Sequence, residues 1–168
     1  MSLPNSYSEL RVLVIGSYNT DLVIACDTIP ERGQSILGGD FEMFCGGRGA
    51  NCAVAAARAG CQVKFVGAHG TDMFAKMATD RLAHERIDTS DFIELPSAQT
   101  GVAMLFNERK TGVHSGLIST SANTNSRPHW SEKSNPPFVR AIWSSLSSRS
   151  RLPSYQRFTG YAVTMVHV

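Results

Sequence analysis

Two stretches of this chain carry residue types that could do chemistry. The first is Cys45-Gly46-Gly47-Arg48-Gly49-Ala50-Asn51, with three glycines in four residues directly ahead of an alanine-rich run ending at Gly60. Such a loop lets the backbone approach a ligand closely and adopt positive φ. The helix that it feeds presents N–H groups and the positive end of its dipole, a place for an anion or for a hydroxyl about to become one. The same pattern also serves as a tight turn before a buried helix whose alanines pack closely on a sheet. The second stretch holds Asn19 and Asp21, alternating at the end of the first predicted strand, so that their side chains share a face. An amide and a carboxylate there can donate and accept hydrogen bonds with neighbouring hydroxyls of a sugar-like ligand. Selectivity follows because buried polar groups must be paired. An Asx turn or a cap closing the strand would use the same two residues.

The elements that position these residues read as alternating strands and helices. Arg11-Val12-Leu13-Val14-Ile15 is a short apolar, β-branched run ended by Gly16, as in a strand buried on both faces of a parallel sheet. Residues 22–25, 35–37 and 41–45 read as further extended pieces, the last two joined by a Gly38-Gly39-Asp40 turn. The alanine-rich helix runs from Arg48 to about Ala59, with Gly60 as its C′ residue. A strand over 62–67 follows. Thr71 and Asp72 offer N-caps for a helix through about Glu85, with Phe74, Met77, Ala78 and Leu82 as its core-facing stripe. Residues 87–90 read as a connector and 92–95 as extended, ending at Pro96. Residues 100–106 and 112–119 pair as a hairpin. The expected architecture is α/β, a main sheet carrying a small β flap.

Charge divides the chain in two. Residues 1–125 hold 10 Lys/Arg against 13 Asp/Glu, a net of −3, whereas residues 126–168 hold 6 against 1, a net of +5. Between 126 and 151 the second part has eight serines, three prolines, both tryptophans and little periodicity, so an irregular, basic tail is expected. It lacks a recognisable nucleic-acid fold, and nucleic acid is not an expected partner. The cysteines Cys26, Cys45, Cys52 and Cys61 have no metal-site or disulfide spacing. They suit a reducing cytoplasm as small buried hydrophobes. No apolar run approaches the roughly 20 residues needed to span a membrane, and Met1 to Glu9 has no signal-peptide character. The five histidines show no ligand-like spacing, so no metal site is expected.

In these residues and their spacing the chain resembles the ribokinase-like (PfkB) family of carbohydrate kinases. Val14-Ile15-Gly16-Ser17-Tyr18-Asn19-Thr20-Asp21 is similar to the family's opening strand and substrate-binding Asn-x-Asp. Pro30-Glu31-Arg32-Gly33-Gln34 is similar to its P-x-x-G-E turn, with Gln34 in place of the acid. Gly46-Gly47-Arg48-Gly49-Ala50-Asn51-Cys52-Ala53, followed by Gly60 and Gly70, fits its first signature. His69-Gly70-Thr71-Asp72 stands where the family has G-x-D, and Thr100-Gly101-Val102-Ala103 matches its T-G-x-A strand.

The resemblance implies a three-layer αβα, Rossmann-like sheet with a small β lid, and a sugar bound between sheet and lid. Asn19 and Asp21 would hold sugar hydroxyls, and Gly47, Arg48 and Asn51 would line the floor of the pocket. Arg48 stands where the ribokinase motif has Lys, a planar fork in place of a compact ammonium. Phosphoryl transfer needs a base, an anion hole, a nucleotide site and Mg²⁺. In the family these lie in the C-terminal half, around a G-A-G-D-like motif. ATP and Mg²⁺ are thus implied as cofactors, but no such motif occurs, so no catalytic residue is assigned. Gly38-Gly39-Asp40 lies in the lid, ahead of the signature helix.

The resemblance covers about residues 10–123. Residues 1–125 are therefore expected to be the N-terminal part of such a domain, truncated, with 126–168 as a separate tail. Three functions follow as expectations: an ATP-dependent sugar kinase acting on a sugar such as ribose, a catalytically incompetent relative that at best binds sugar, or an interaction module. In the last, lid strands pair between two copies of the chain.

Overall fold

The computed structural model describes residues 10–125 and 162–165. The first strand, β1 (Arg11–Ile15), splits its side chains by parity. Val12 and Val14 turn to one face and Leu13 and Ile15 to the other, and all four are buried. It pairs in parallel with β4 (Gln62–His69), in the register Val12↔Val63 and Ile15↔Val66. On the far side of β4 lies β5 (Asp88–Glu94), also parallel. The fourth strand, β8 (Ala162–Met165), runs antiparallel along the other edge of β1, with Val12 opposite Met165 and Ile15 opposite Ala162. The sheet order is β5-β4-β1-β8. Four residues of the expected irregular tail therefore act as a strand. The edge of β1 offers a row of unpaired N–H and C=O groups, which a short strand satisfies.

A second sheet carries the order β3-β2-β6-β7. It is built from β2 (Asn19–Cys26), β3 (Phe41–Gly46), β6 (Val102–Glu108) and β7 (His114–Ser119). β2 runs parallel to β6 and antiparallel to β3, and β6 and β7 form the expected hairpin. The flap is thus larger than expected. Asn19 and Asp21 open β2 rather than close β1. Residues 35–37 are not a strand; Leu37 is fully exposed, and Gly39 donates its N–H to the Ala25 carbonyl at 2.7 Å instead.

Both main helices lie on the Val12 and Val14 face. The first, α1 (Arg48–Arg58), buries Gly49, Ala50 and Ala53 against it. It ends in a Schellman motif: Gly60 at φ 96° donates to the Ala57 carbonyl and Cys61 to that of Ala56. The second, α2 (Met73–His84), buries Ala75, Ala78 and Leu82. Phe74 and Met77 are only half-buried, so the stripe is centred one residue from where the periodicity put it. Beneath the helices Phe92 makes edge contacts with Phe65 and His69, at ring distances of 5.3 and 4.6 Å. On the opposite face Leu13, Ile15 and Val66 cluster together. The one-turn α3 (Ala122–Asn125) packs Ala122 against Ala68 and Leu95 near the same end of the sheet.

One carboxylate ties the helix layer to the second sheet. Asp72 caps α2, its Oδ1 accepting from the N–H groups of Phe74 and Ala75 at 3.0 and 3.1 Å. Its Oδ2 accepts from the Thr100 N–H at 2.7 Å, while the Thr100 hydroxyl accepts from Gly70 N–H at 3.0 Å. Partial burial pushes the Asp72 carboxyl up, but the bonds from Thr100, Ala75 and Phe74 outweigh it and hold it below the usual carboxylate range. Losing a cap of this kind costs about 0.5–2 kcal/mol. Asp72→Ala is expected to lower the urea midpoint accordingly. Because the carboxyl titrates lower when folded, its contribution is complete above about pH 4 and fades as pH falls through the folded value. The gap between wild type and variant should narrow in acid. A constant gap from pH 7 to pH 3 would show that the carboxylate is not the cause.

Candidate functional site

The site lies where the two sheets meet the first turn of α1. After β1 the chain passes through Gly16, Ser17 and Tyr18 into β2, and α1 presses its N-terminal turn onto that link. A Cβ at Gly49 would stand 2.7 Å from the Gly16 backbone. Gly47 adopts φ 89°, and a Cβ there would stand 2.7 Å from both the Asn19 nitrogen and the Ser17 carbonyl oxygen. Only glycine fits at these two positions. The approach is fixed by the Ala50 N–H, which donates to the Ser17 carbonyl at 3.1 Å. One N–H of the first turn thus serves the fold, which narrows the expected anion site.

β2 then sorts its side chains by parity. Tyr18 and Thr20 point into the core; the Tyr18 hydroxyl lies 3.4 Å from the Thr20 hydroxyl, and both residues are fully buried. Burial pushes the Tyr18 phenol far up and keeps it neutral. The neighbouring Cys45 thiol is also pushed up by burial. Asn19 and Asp21 take the other face. Asn19 is 8% exposed, and its Oδ1 accepts from the Asn123 side chain at 3.0 Å. Asp21 lies against Gly46, where any Cβ would collide with its carboxylate. Burial raises the Asp21 carboxyl above its ordinary range, with no hydrogen bond among the described residues to offset it.

The structure therefore brings Asn19, Asp21 and Gly47 together. Arg48 follows as the first residue of α1, its side chain exposed. Asn51, one turn on, lines a cavity of about 180 Å³ with Cys45, Val54, Arg58, Arg81 and Glu85. That cavity includes neither Asn19 nor Asp21. Sequence reasoning missed Asn123, whose carboxamide also brackets the Tyr18 backbone. No local pattern marks it. Among the described residues no group of three or more His, Cys, Asp or Glu could hold a metal ion. None of the described helices is long and apolar enough to cross a membrane.

An α/β sheet and a flap thus meet at a glycine-rich helix start beside an Asn-x-Asp pair. The chain matches the model of the pfkB family of carbohydrate kinases over residues 9–162, and it belongs to that family. It is 34% identical over 111 residues to a ribokinase of Haemophilus influenzae, covering 66% of this chain and 36% of that protein. Among solved structures it is similar to the ribokinase from Giardia lamblia, with a TM-score of 0.60 and 30% identity over 67% of this chain and 34% of that one. It is also similar to Arabidopsis thaliana ribokinase complexed with ribose and ATP, with a TM-score of 0.60 and 26% identity over 68% and 37% of the two chains. The chain thus spans about a third of the length of these relatives.

A carboxyl raised by burial destabilises the folded state while ionised, and that cost fades as pH falls through its folded value. Asp21→Asn removes the charge, so it is expected to raise the melting temperature at pH 7, with the gain shrinking towards pH 4. A variant that melts below wild type at pH 7 would mean that the carboxylate has a stabilising partner.

Proposed function

We propose that this chain binds a small neutral sugar, ribose in the first instance, between Asn19, Asp21 and the first turn of α1. The observation that carries the reading is the Asp21 carboxylate, half-buried and without a hydrogen-bond partner among the described residues, beside a buried and oriented Asn19. A half-buried carboxylate gains most from a ligand that donates to it, since a hydrogen bond to a charged group contributes roughly 1.5–3 kcal/mol. Gly47 lets the backbone come close to the ligand, and Arg48 stands at its rim, where its planar fork can donate to two oxygens at once. We read Asn51 as a further contact, reached across the first turn of α1.

In the family, ATP supplies the phosphoryl group and Mg²⁺ offsets its charge. The proposed role is sugar binding without phosphoryl transfer, because the sequence holds no G-A-G-D-like motif to supply the base. Four free cysteines are in keeping with a cytoplasmic setting. Titration with D-ribose, followed by amide chemical shifts, is expected to move Asn19, Asp21 and Gly47 in wild type and not in Asp21→Asn. The affinity should fall as pH drops through the raised Asp21 value, because the protonated form no longer accepts two bonds. Absence of any shift in wild type would overturn the reading. ATP-dependent phosphorylation of ribose above a no-protein control would overturn its binding-only part.

A second reading rests on the second sheet. Cross-strand neighbours Met43, Leu22, Met104 and Leu117 form one row, with Phe41, Ile24 and Phe106 in the row beside it. Phe41, Met43, Met104 and Leu117 are exposed, an apolar face of the kind that marks an interaction surface. We infer that it covers the same face of a second copy. Light scattering behind a sizing column should show a dimer that Leu117→Glu converts to monomer. A monomer at all concentrations would sink this reading.

A further inference from the structure

We propose that Asn123 is the positioning residue that decides which end of the Asn19 carboxamide faces the sugar, so that the site offers a donor at Asn19 beside an acceptor at Asp21. This rests on the reading of Asn19 and Asp21 as the sugar-binding pair. Asn123 belongs to the one-turn α3 and lies 104 residues beyond Asn19. The turn itself is held in place. Ala122 is fully buried and donates its N–H to the Gln99 carbonyl at 2.9 Å, and the Asn123 N–H donates to the Thr120 carbonyl at 2.9 Å.

Three bonds of the Asn123 carboxamide join it to Tyr18 and Asn19. Its Oδ1 accepts from the Tyr18 N–H at 3.0 Å, and its Nδ2 donates to the Tyr18 carbonyl at 2.9 Å and to Asn19 Oδ1 at 3.0 Å. Backbone groups have fixed roles, so the Tyr18 pair determines the orientation of Asn123. Turned over, its oxygen would face the Tyr18 carbonyl and its NH₂ the Tyr18 N–H. With one Nδ2 hydrogen on Tyr18, the other faces Asn19, which must answer with its oxygen. The Asn19 NH₂ is thereby directed away from Asn123, towards the ligand side. Space is reserved for this contact, because a Cβ at Gly101 would collide with both Asn123 Nδ2 and Asn19 Oδ1. A donor next to an acceptor suits a hydroxyl pair, in which one oxygen accepts while its neighbour donates. It disfavours a carboxylate, which Asp21 would repel.

The test uses the full chain, reading the Asn19 side-chain NH₂ resonances by ¹⁵N NMR, assigned with Asn19→Ala, alongside D-ribose titration. Asn123→Asp keeps the acceptor for Tyr18 N–H but places a second oxygen against Asn19 Oδ1. Asn19 should turn over and donate to the carboxylate, so its NH₂ protons shift and exchange more slowly. Asn123→Ser, which keeps a short side chain in the turn, should instead leave the carboxamide averaging between orientations. Both variants should weaken ribose binding by at least about tenfold, the loss of one oriented bond. Backbone amide spectra select the variants that are folded, and either one suffices. Asn19 NH₂ resonances unchanged in a folded variant would overturn the proposal, whatever the sugar does. Were wild type to bind no ribose while the resonances respond as described, the sugar reading would fail and the orienting role of Asn123 would stand.

Discussion

The structure depends on one close approach of backbone to backbone. The first turn of α1 lies directly on the link from Gly16 to Asn19, through Gly49 against Gly16 and Gly47 against Ser17 and Asn19. The Ala50–Ser17 hydrogen bond closes the contact. That link is also where the chain leaves one sheet for the other. Gly16 donates its N–H to the Val66 carbonyl at 3.0 Å, still as part of the parallel sheet, and four residues later Thr20 donates to the Gly101 carbonyl at 2.8 Å in the second sheet. A helix pinned over that crossing holds both sheets in fixed relation. It also gathers residues from β2 and α1 into one place, although no single element carries them. Side chains at Gly47 or Gly49 would act on the site through this contact before they met any ligand.

From that crossing outward, strand parity does the sorting. Tyr18 and Thr20 go to the core with Phe92, where the Tyr18 and Phe92 rings are 5.8 Å apart, and Asn19 and Asp21 go to the opposite face. Keeping the Tyr18 phenol neutral matters here, since a second charge so near Asp21 would raise the cost of its ionisation further. A second path ties the same place to α2. Asp72 holds Thr100, the adjacent Gly101 pairs with Thr20, and Gly101 makes room for Asn123 and Asn19. The glycine loop and the Thr-Gly stretch, far apart in the chain, thus serve one junction.

Features set by local chemistry were legible in the sequence. Gly60 closes α1 and Asp72 opens α2 because a positive-φ residue and a short carboxylate do those jobs within a few residues. What was missed depends on distant partners. β2 starts at Asn19 because Asn19 pairs with Gly46 and Thr20 with Val102, contacts that no local window contains. α2 ends with Arg86 at φ 59°, in the place where a glycine would have announced the stop. There the 6→1 bond from Ile87 N–H to the Leu82 carbonyl holds a residue that pays more than glycine for that conformation. Ala162–Met165 became a strand because β1 had an open edge, not because four residues of modest apolarity demanded it. Asn123 carries no local signal, since its bonds run to Tyr18 and Asn19.

The two polar residues of the site are left in opposite conditions, and that difference is what gives the site its chemistry. Asn19 is nearly closed to solvent, with its oxygen already bonded, so it enters any encounter in one orientation and needs little reorganisation. Asp21 is half-buried, raised by that burial, and flanked by Gly46 in place of any side chain that could donate to it. A fold selected only for stability would pair or remove such a carboxylate, because its desolvation is uncompensated. Here the space that a partner would take is kept open by a glycine. On the proposed reading, a ligand would supply the donors that Asp21 lacks among the described residues, and binding would select for hydroxyls at that point.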